Sequence, residues 1–177
     1  VVANGFAKQR GLYVDRGIKS IAAVESMKTM AFEIAQQLGW RSPDWFIQAV
    51  SGGMGPIGVA KGFEELIALG LADKIPALGV IQSAGCAPMV HAFKHGRTVA
   101  TPVEEPKTVI ATLSTGDPGR AYEQLNNLIS VHGGAMEDVT DEEAFNALRL
   151  LARTEGLSVE PATAVAFAGL EKLIAIG

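Results

Sequence analysis

The sequence has 177 residues, 48% of them apolar, enough to bury the core of one domain or of one domain and part of another. Its net charge of −4 comes from acids and bases mixed along the chain, which excludes the basic footprint of a nucleic-acid or anionic-membrane binder and favours a small-molecule ligand. The single cysteine, Cys86, excludes an internal disulfide framework and suits a reducing compartment, the cytoplasm by default.

The N-terminus, Val-Val-Ala-Asn-Gly, has neither an initiator methionine nor a signal-peptide pattern, so the chain is expected to begin partway through a longer protein. From Glu25 to Leu38, apolar residues Met27, Met30, Ala31, Ile34, Ala35 and Leu38 recur at helical spacing, and Gly39 is suited to the left-handed stop. After the Pro43-Asp44 turn, Trp45 to Val50 reads as a short buried strand. A glycine cluster follows at once, and Ile57, Ala60, Phe63, Leu66 and Ile67 then mark a helix ending near Gly70.

Ala77 to Gln82 is a second apolar run of strand length, so the segment forms a βαβ unit with parallel strands. A short helical stretch from Met89 to about Lys94 precedes an irregular segment, Gly96 to Lys107. Asp117 reads as an N-cap with Pro118 at the first helical position, opening a helix to about Val131 before Gly133-Gly134. Thr140 and Glu143 make a capping box for a helix to about Glu155, with Leu148, Leu151 and Ala152 on its core face. Glu160-Pro161 opens a last helix whose uncharged part, Ala162 to Leu170, is expected to be buried. Glu171 and Lys172 interrupt that stretch before it reaches the ~20 apolar residues of a membrane span.

Ser51-Gly52-Gly53-Met54-Gly55 leaves a strand and enters a helix. Glycines there let backbone N–H groups approach an anion that also feels the positive end of the helix dipole, and Ser51 adds a hydroxyl donor. A tight strand-to-helix turn with close helix packing is the competing account of the same glycines. Gly53-x-Gly55-x-x-Gly58 also has the form of a dinucleotide fingerprint. It lacks the acidic residue at the end of the next strand, which closes with Ile81-Gln82-Ser83, and Pro56 falls inside it. His91 and His95 are spaced as two metal ligands on a helix, but no third ligand stands at a recognisable spacing, so no metal site is expected and both read as surface histidines. Cys86 has no identifiable base partner and reads as a small buried side chain, and Lys28 beside Glu25 as an intrahelical pair.

Taken in order, Glu25-Ser-Met-Lys-Thr29, Gln48-Ala-Val-Ser-Gly-Gly-Met-Gly55, Gly79 to Pro88, Thr115-Gly-Asp-Pro118 and Glu155 to Ala164 resemble the threonine synthase branch of the fold type II pyridoxal-phosphate enzymes. The resemblance implies an α/β fold with an open parallel sheet flanked by helices. It makes residues 1–177 part of the cofactor-binding region of a two-domain enzyme. It implies pyridoxal 5'-phosphate as cofactor, with its phosphate on Ser51, Gly52, Gly53, Met54 and Gly55, and an amino acid as substrate of a β- or γ-eliminating or replacing lyase. A homodimer is implied as well.

Glu160 and Thr163 resemble the start of a helix lining the cofactor cleft, although helix capping accounts for them equally well. The family's Schiff-base lysine belongs to a segment upstream of the glycine loop. Lys8, Lys19 and Lys28 do not match its motif, so the catalytic lysine, like the family's C-terminal segment, is expected outside these residues.

Members acting on phosphohomoserine carry side-chain ligands for the substrate phosphate where this chain has Gly17, Ile18, Ala23 and Gly53, with Arg16 and Lys19 as nearby substitutes. A serine or threonine dehydratase, a β-replacement synthase of the same fold and a non-catalytic phosphate-binding homologue are the alternatives.

Overall fold

Three parallel strands form the centre of the computed structural model, which describes residues 2–14 and 17–176. Two N-terminal elements have no counterpart in the sequence pattern: a helix α1 (Val2–Arg10) and a single 3-10 turn at Gly17–Lys19. The helix expected over 25–38 is two helices, α2 (Ile21–Ser26) and α3 (Lys28–Gln37). They break at Met27, which is packed onto Gly58 of the helix α4 (Met54–Ala68); a Cβ on Gly58 would stand 2.3 Å from the Met27 Cβ. Gly62, one turn on, takes Ala31 and the Lys28 backbone in the same way. Two glycines a turn apart thus let α3 and α4 approach at backbone distance. The crossing is flanked by ion pairs of Lys28 with Glu25 and Glu65 and of Lys61 with Glu25, so the Lys28–Glu25 contact belongs to a network joining helices.

Strands β1 (Trp45–Ala49) and β2 (Ala77–Ser83) flank α4 in sequence as the βαβ pattern requires, paired from Trp45↔Ala77 to Ala49↔Ile81. After β2 the chain makes a 3-10 turn and the helix α5 (Pro88–Lys94), then irregular backbone as expected. The helix α6 (Ala121–His132) starts later than Asp117 and Pro118 suggest. Asp117 Oδ1 accepts from the Gly119 N–H at 2.9 Å, closing a local turn, so its carboxylate does not cap the helix.

A third strand, β3 (Gly134–Val139), lies where the sequence pattern marks only the end of a helix, and it pairs with β2 to give the order β1-β2-β3. Two helices complete the described chain: α7 (Asp141–Thr154), with both arms of the Thr140–Glu143 capping box formed, and α8 (Pro161–Ile176). The core face of α7 is Ala144, Ala147 and Leu151; Ala152 is exposed.

Side chains alternate across the sheet, so Val50, Leu78, Val80 and Met136 face α4, α5 and α6, while Ile81 and Val139 face α7 and α8. Helix α8 buries Ala164, Val165 and Ala168 on that second face. It is not buried all round: Phe167 is 37% exposed, and with Leu170 and Leu173 it lines an apolar groove along Trp45 and Ile47 of the outer strand. No helix among the described residues is long and apolar enough to cross a membrane.

Candidate functional site

The carboxyl end of β1 runs directly into the glycine loop, and the Val50 N–H, bonded to the Ile81 carbonyl at 2.8 Å, ties the residue before it to β2. Gly53 then takes a left-handed conformation, φ 80° and ψ 11°, and caps α4 with no side-chain acceptor. Among the described residues, no protein acceptor receives the N–H groups of Gly52, Gly53, Met54 and Gly55. Pro56 has no N–H to satisfy, and the helix behind them is 15 residues long, so its positive end faces the loop. A cluster of backbone donors without acceptors at a helix N-terminus is the physical requirement of an anion site.

Each glycine has its own reason. Gly53 is required by its positive φ and because a Cβ would lie 2.8 Å from Leu125 Cδ1. A Cβ on Gly55 would stand 2.2 Å from Gln48 Oε1. Gly52 meets no protein atom within 4 Å of the same position, so its side opens onto empty space. Turn geometry and close packing therefore explain Gly53, Gly55 and Gly58 and leave Gly52 unexplained, and the two accounts of the motif divide at that residue. Gln48 Oε1 is buried beneath the loop, beside the start of α4, without a donor among the described residues.

Ser51 is fixed from a distance: its Oγ accepts from the Thr115 N–H at 3.0 Å, across 64 residues of chain. An acceptor lone pair is thereby used and the hydroxyl proton remains available for donation. The Thr115-Gly-Asp-Pro118 motif thus reaches the glycine loop, a contact that the sequence pattern does not mark. Glu160 and Thr163 are both exposed, and Thr112 Oγ1 stands 3.5 Å from Glu160 Oε1, on the turn that leads to Thr115. Lys19 lines a hollow beside α4 with Ile57, Lys61 and Gln124; Arg16 lies outside the described residues.

Two other helix starts, those of α5 and α7, are already satisfied by side chains. Gln82 Oε1 accepts from the Met89 and Val90 N–H groups at 2.9 and 3.2 Å, capping α5, and Thr140 with Glu143 caps α7. Cys86 is 1% exposed, and burial pushes its thiol above the ordinary range, away from thiolate chemistry. His91 and His95 are exposed, and His95 Nδ1 sits 2.7 Å from the His91 carbonyl oxygen.

A family model described as pyridoxal-phosphate dependent enzyme matches residues 1–177. The chain belongs to that family. It is 42% identical over 154 residues to a threonine synthase of Methanosarcina acetivorans, covering 87% of this chain and 38% of that one. To the threonine synthase of Methanocaldococcus jannaschii it is 39% identical over 171 residues, 97% of this chain and 42% of the relative. The chain thus spans roughly two fifths of the length of these curated relatives. In structure it is similar to a T.th. threonine deaminase, with a TM-score of 0.78 at 18% identity over 99% of this chain and 56% of that one, a likeness that shows the fold. The α/β fold with a parallel sheet flanked by helices is the fold type II arrangement, and the family's cofactor is pyridoxal 5'-phosphate.

Proposed function

We propose that these residues are part of the cofactor-binding region of a two-domain lyase of the threonine synthase type, with the phosphate of pyridoxal 5'-phosphate held by Ser51, Gly52, Gly53, Met54 and Gly55. The observation that carries this reading is the row of acceptor-free N–H groups opening α4 at the carboxyl end of a parallel sheet. The residues fit the group: Gly52 leaves room on the open side, Ser51 keeps a proton to donate, and no side-chain cap competes. When bound, pyridoxal 5'-phosphate supplies an electron sink for a carbanion α to the amino group of an amino-acid substrate. The chain's own share is to bind and orient: the loop fixes the phosphate, the α4 dipole opposes its charge, and Glu160 and Thr163 line the cleft from the start of α8. Departure of a β or γ leaving group, with or without replacement, is the proposed reaction. The Schiff-base lysine is supplied by sequence outside these residues.

A dehydratase or β-replacement synthase is the second reading, and a specific observation favours it. Gly17, Ile18, Ala23 and Gly53 offer no side-chain ligand to a substrate phosphate, and at Gly53 even a methyl group is excluded by Leu125. We further propose a homodimer, as the family resemblance implies, working in the cytoplasm, which the lone buried Cys86 suits.

The test is the visible spectrum of the full-length gene product with added cofactor, before and after borohydride, followed by assays on phosphohomoserine, serine and threonine. A band that borohydride removes is expected, together with turnover of an amino acid with a β or γ leaving group. Absence of the band would leave a phosphate-binding homologue without chemistry as the better account. Turnover of serine or threonine but not phosphohomoserine would select the second reading.

A further inference from the structure

We propose that Asp141 is a positioning residue for the glycine loop, acting through the strap formed by residues 108–115. This rests on the reading of Ser51 to Gly55 as the phosphate site. Asp141, the first residue of α7, holds the strap with both oxygens: Oδ1 accepts from Thr108 Oγ1 at 2.6 Å, and Oδ2 from the Val109 N–H at 2.9 Å. Ser83 Oγ, at the end of β2, donates to Oδ1 at 3.3 Å, so the carboxylate is tied to the sheet as well.

From Asp141 to the loop the connection is continuous. Thr108 Oγ1 accepts from the Ile110 N–H at 3.0 Å; the Ile110 carbonyl accepts from the Leu113 N–H at 2.9 Å; Ser114 Oγ donates to the Ala111 carbonyl at 2.6 Å. Ile110 and Leu113 anchor the strap in the core beside Val139 and Val165. It ends at the Thr115 N–H, 3.0 Å from Ser51 Oγ. Both flanks are clamped. The Gly85 carbonyl accepts from the Lys107 N–H, and the Gly116 carbonyl accepts from the Val103 N–H; a Cβ on either glycine would lie within 2.0 Å of the facing carbonyl oxygen, of Lys107 and Val103 respectively.

A strap fixed this way has little freedom except at its attachments, so loss of the Asp141 attachment is transmitted to Thr115. Ser51 Oγ then loses the donor that sets its rotamer, and its proton is no longer aimed. Helix α7 does not depend on Asp141 for its own start, because the Thr140–Glu143 capping box satisfies it.

The experiment measures the dissociation constant of pyridoxal 5'-phosphate and the 31P shift of the bound cofactor in the full-length protein, for wild type, Ser51→Ala, Asp141→Ala, Asp141→Asn and the Ser51→Ala/Asp141→Ala double variant. Ser51→Ala and Asp141→Ala are each expected to weaken binding about tenfold, the scale of one hydrogen bond to a charged group. The double variant is expected to bind no worse than either single one, because Asp141 acts on the phosphate only through Ser51. Asp141→Asn should fall between, since its amide oxygen still accepts from Thr108 while its NH2 group turns a donor toward the Val109 N–H. Multiplicative losses in the double variant, or wild-type affinity and 31P shift in Asp141→Ala, would overturn the proposal. If Asp141→Ala does not fold, Thr108→Val decides by the same comparison with Ser51→Ala. If Ser51→Ala itself changes neither affinity nor shift, the phosphate reading of the loop has failed; if it changes both and the Asp141 variants change neither, the strap alone has failed.

Discussion

Two helices start from the carboxyl edge of the same sheet, and their first turns are built on opposite plans. At α7, Thr140 Oγ1 accepts from the Glu143 N–H at 3.2 Å, and Glu143 Oε2 accepts from the Thr140 N–H at 2.7 Å. At α4, a left-handed glycine stands at the cap, no side chain takes its place, and the opening N–H groups have no protein acceptor among the described residues. A glycine cap forgoes roughly a few tenths of a kcal/mol relative to a side-chain cap, and the open end is consistent with an anion that arrives from solution. The comparison breaks most severely at Gly53. Replacing it with alanine forces a Cβ against Leu125 at 2.8 Å on backbone with φ 80°. A loss of about 2–4 kcal/mol in unfolding free energy and of most cofactor affinity is expected, read by thermal denaturation and by cofactor titration. Wild-type stability in this variant would mean that the loop does not hold the geometry described.

Gly52 allows the two plans to be exchanged. It has no positive φ and no neighbour within 4 Å of a Cβ, so aspartate fits there without strain. Gly52→Asp is expected to give α4 a carboxylate of its own, raising stability by up to about 1 kcal/mol through the helix dipole. At the same time it should weaken cofactor binding on the order of tenfold or more, because the built-in charge occupies and repels the phosphate position. Opposite signs in the two measurements are the point of the experiment. If affinity is retained, the phosphate sits elsewhere.

The strands β1 and β2 and the loop between them were legible because local chemistry decides them: apolar runs bounded by turn residues, then glycines at a helix start. The third strand was not. Gly134-Ala-Met-Glu-Asp-Val139 starts on glycine and carries two acids, and its pairing is secured by Lys94 of α5, which reaches Glu137 and Asp138 from more than 40 residues upstream. The break at Met27 is also set from afar, by the backbone of α4 at Gly58. Asp117 and Pro118 suit a helix start and a turn equally well, and the Gly119 N–H took the carboxylate. Of the candidate site, Ser51 to Gly55 could be named from the sequence because a strand–glycine–helix succession is local. Its supports, Thr115 on Ser51 and Asp141 on Thr108, join residues far apart in the chain, and no local pattern marks them.

At the closed helix smaller effects are expected, and they should leave the open one untouched. Thr140→Ala removes one arm of the capping box and should cost about 1 kcal/mol of stability with unchanged cofactor affinity, since the bond it removes runs to Glu143 of the same helix. A fall in affinity would show that the two helix starts are coupled more widely than through Asp141.

The smallest effect is in the pH dependence. Burial raises the Glu143 carboxyl, but the Thr140 backbone N–H, Lys172 and the Thr140 hydroxyl together hold it below its ordinary value. A carboxylate depressed in the folded state contributes stability that is present above the ordinary carboxylate range and is lost as pH falls through it. Acid unfolding followed in wild type and Glu143→Gln should therefore show the two curves separated at neutral pH and converging below that range. Glutamine keeps an acceptor for the Thr140 N–H but gives up the charge that pairs with Lys172 at 2.9 Å, so the separation should be small and should shrink with added salt. Curves that stay parallel into acid would mean that Glu143 acts through its hydrogen bond alone.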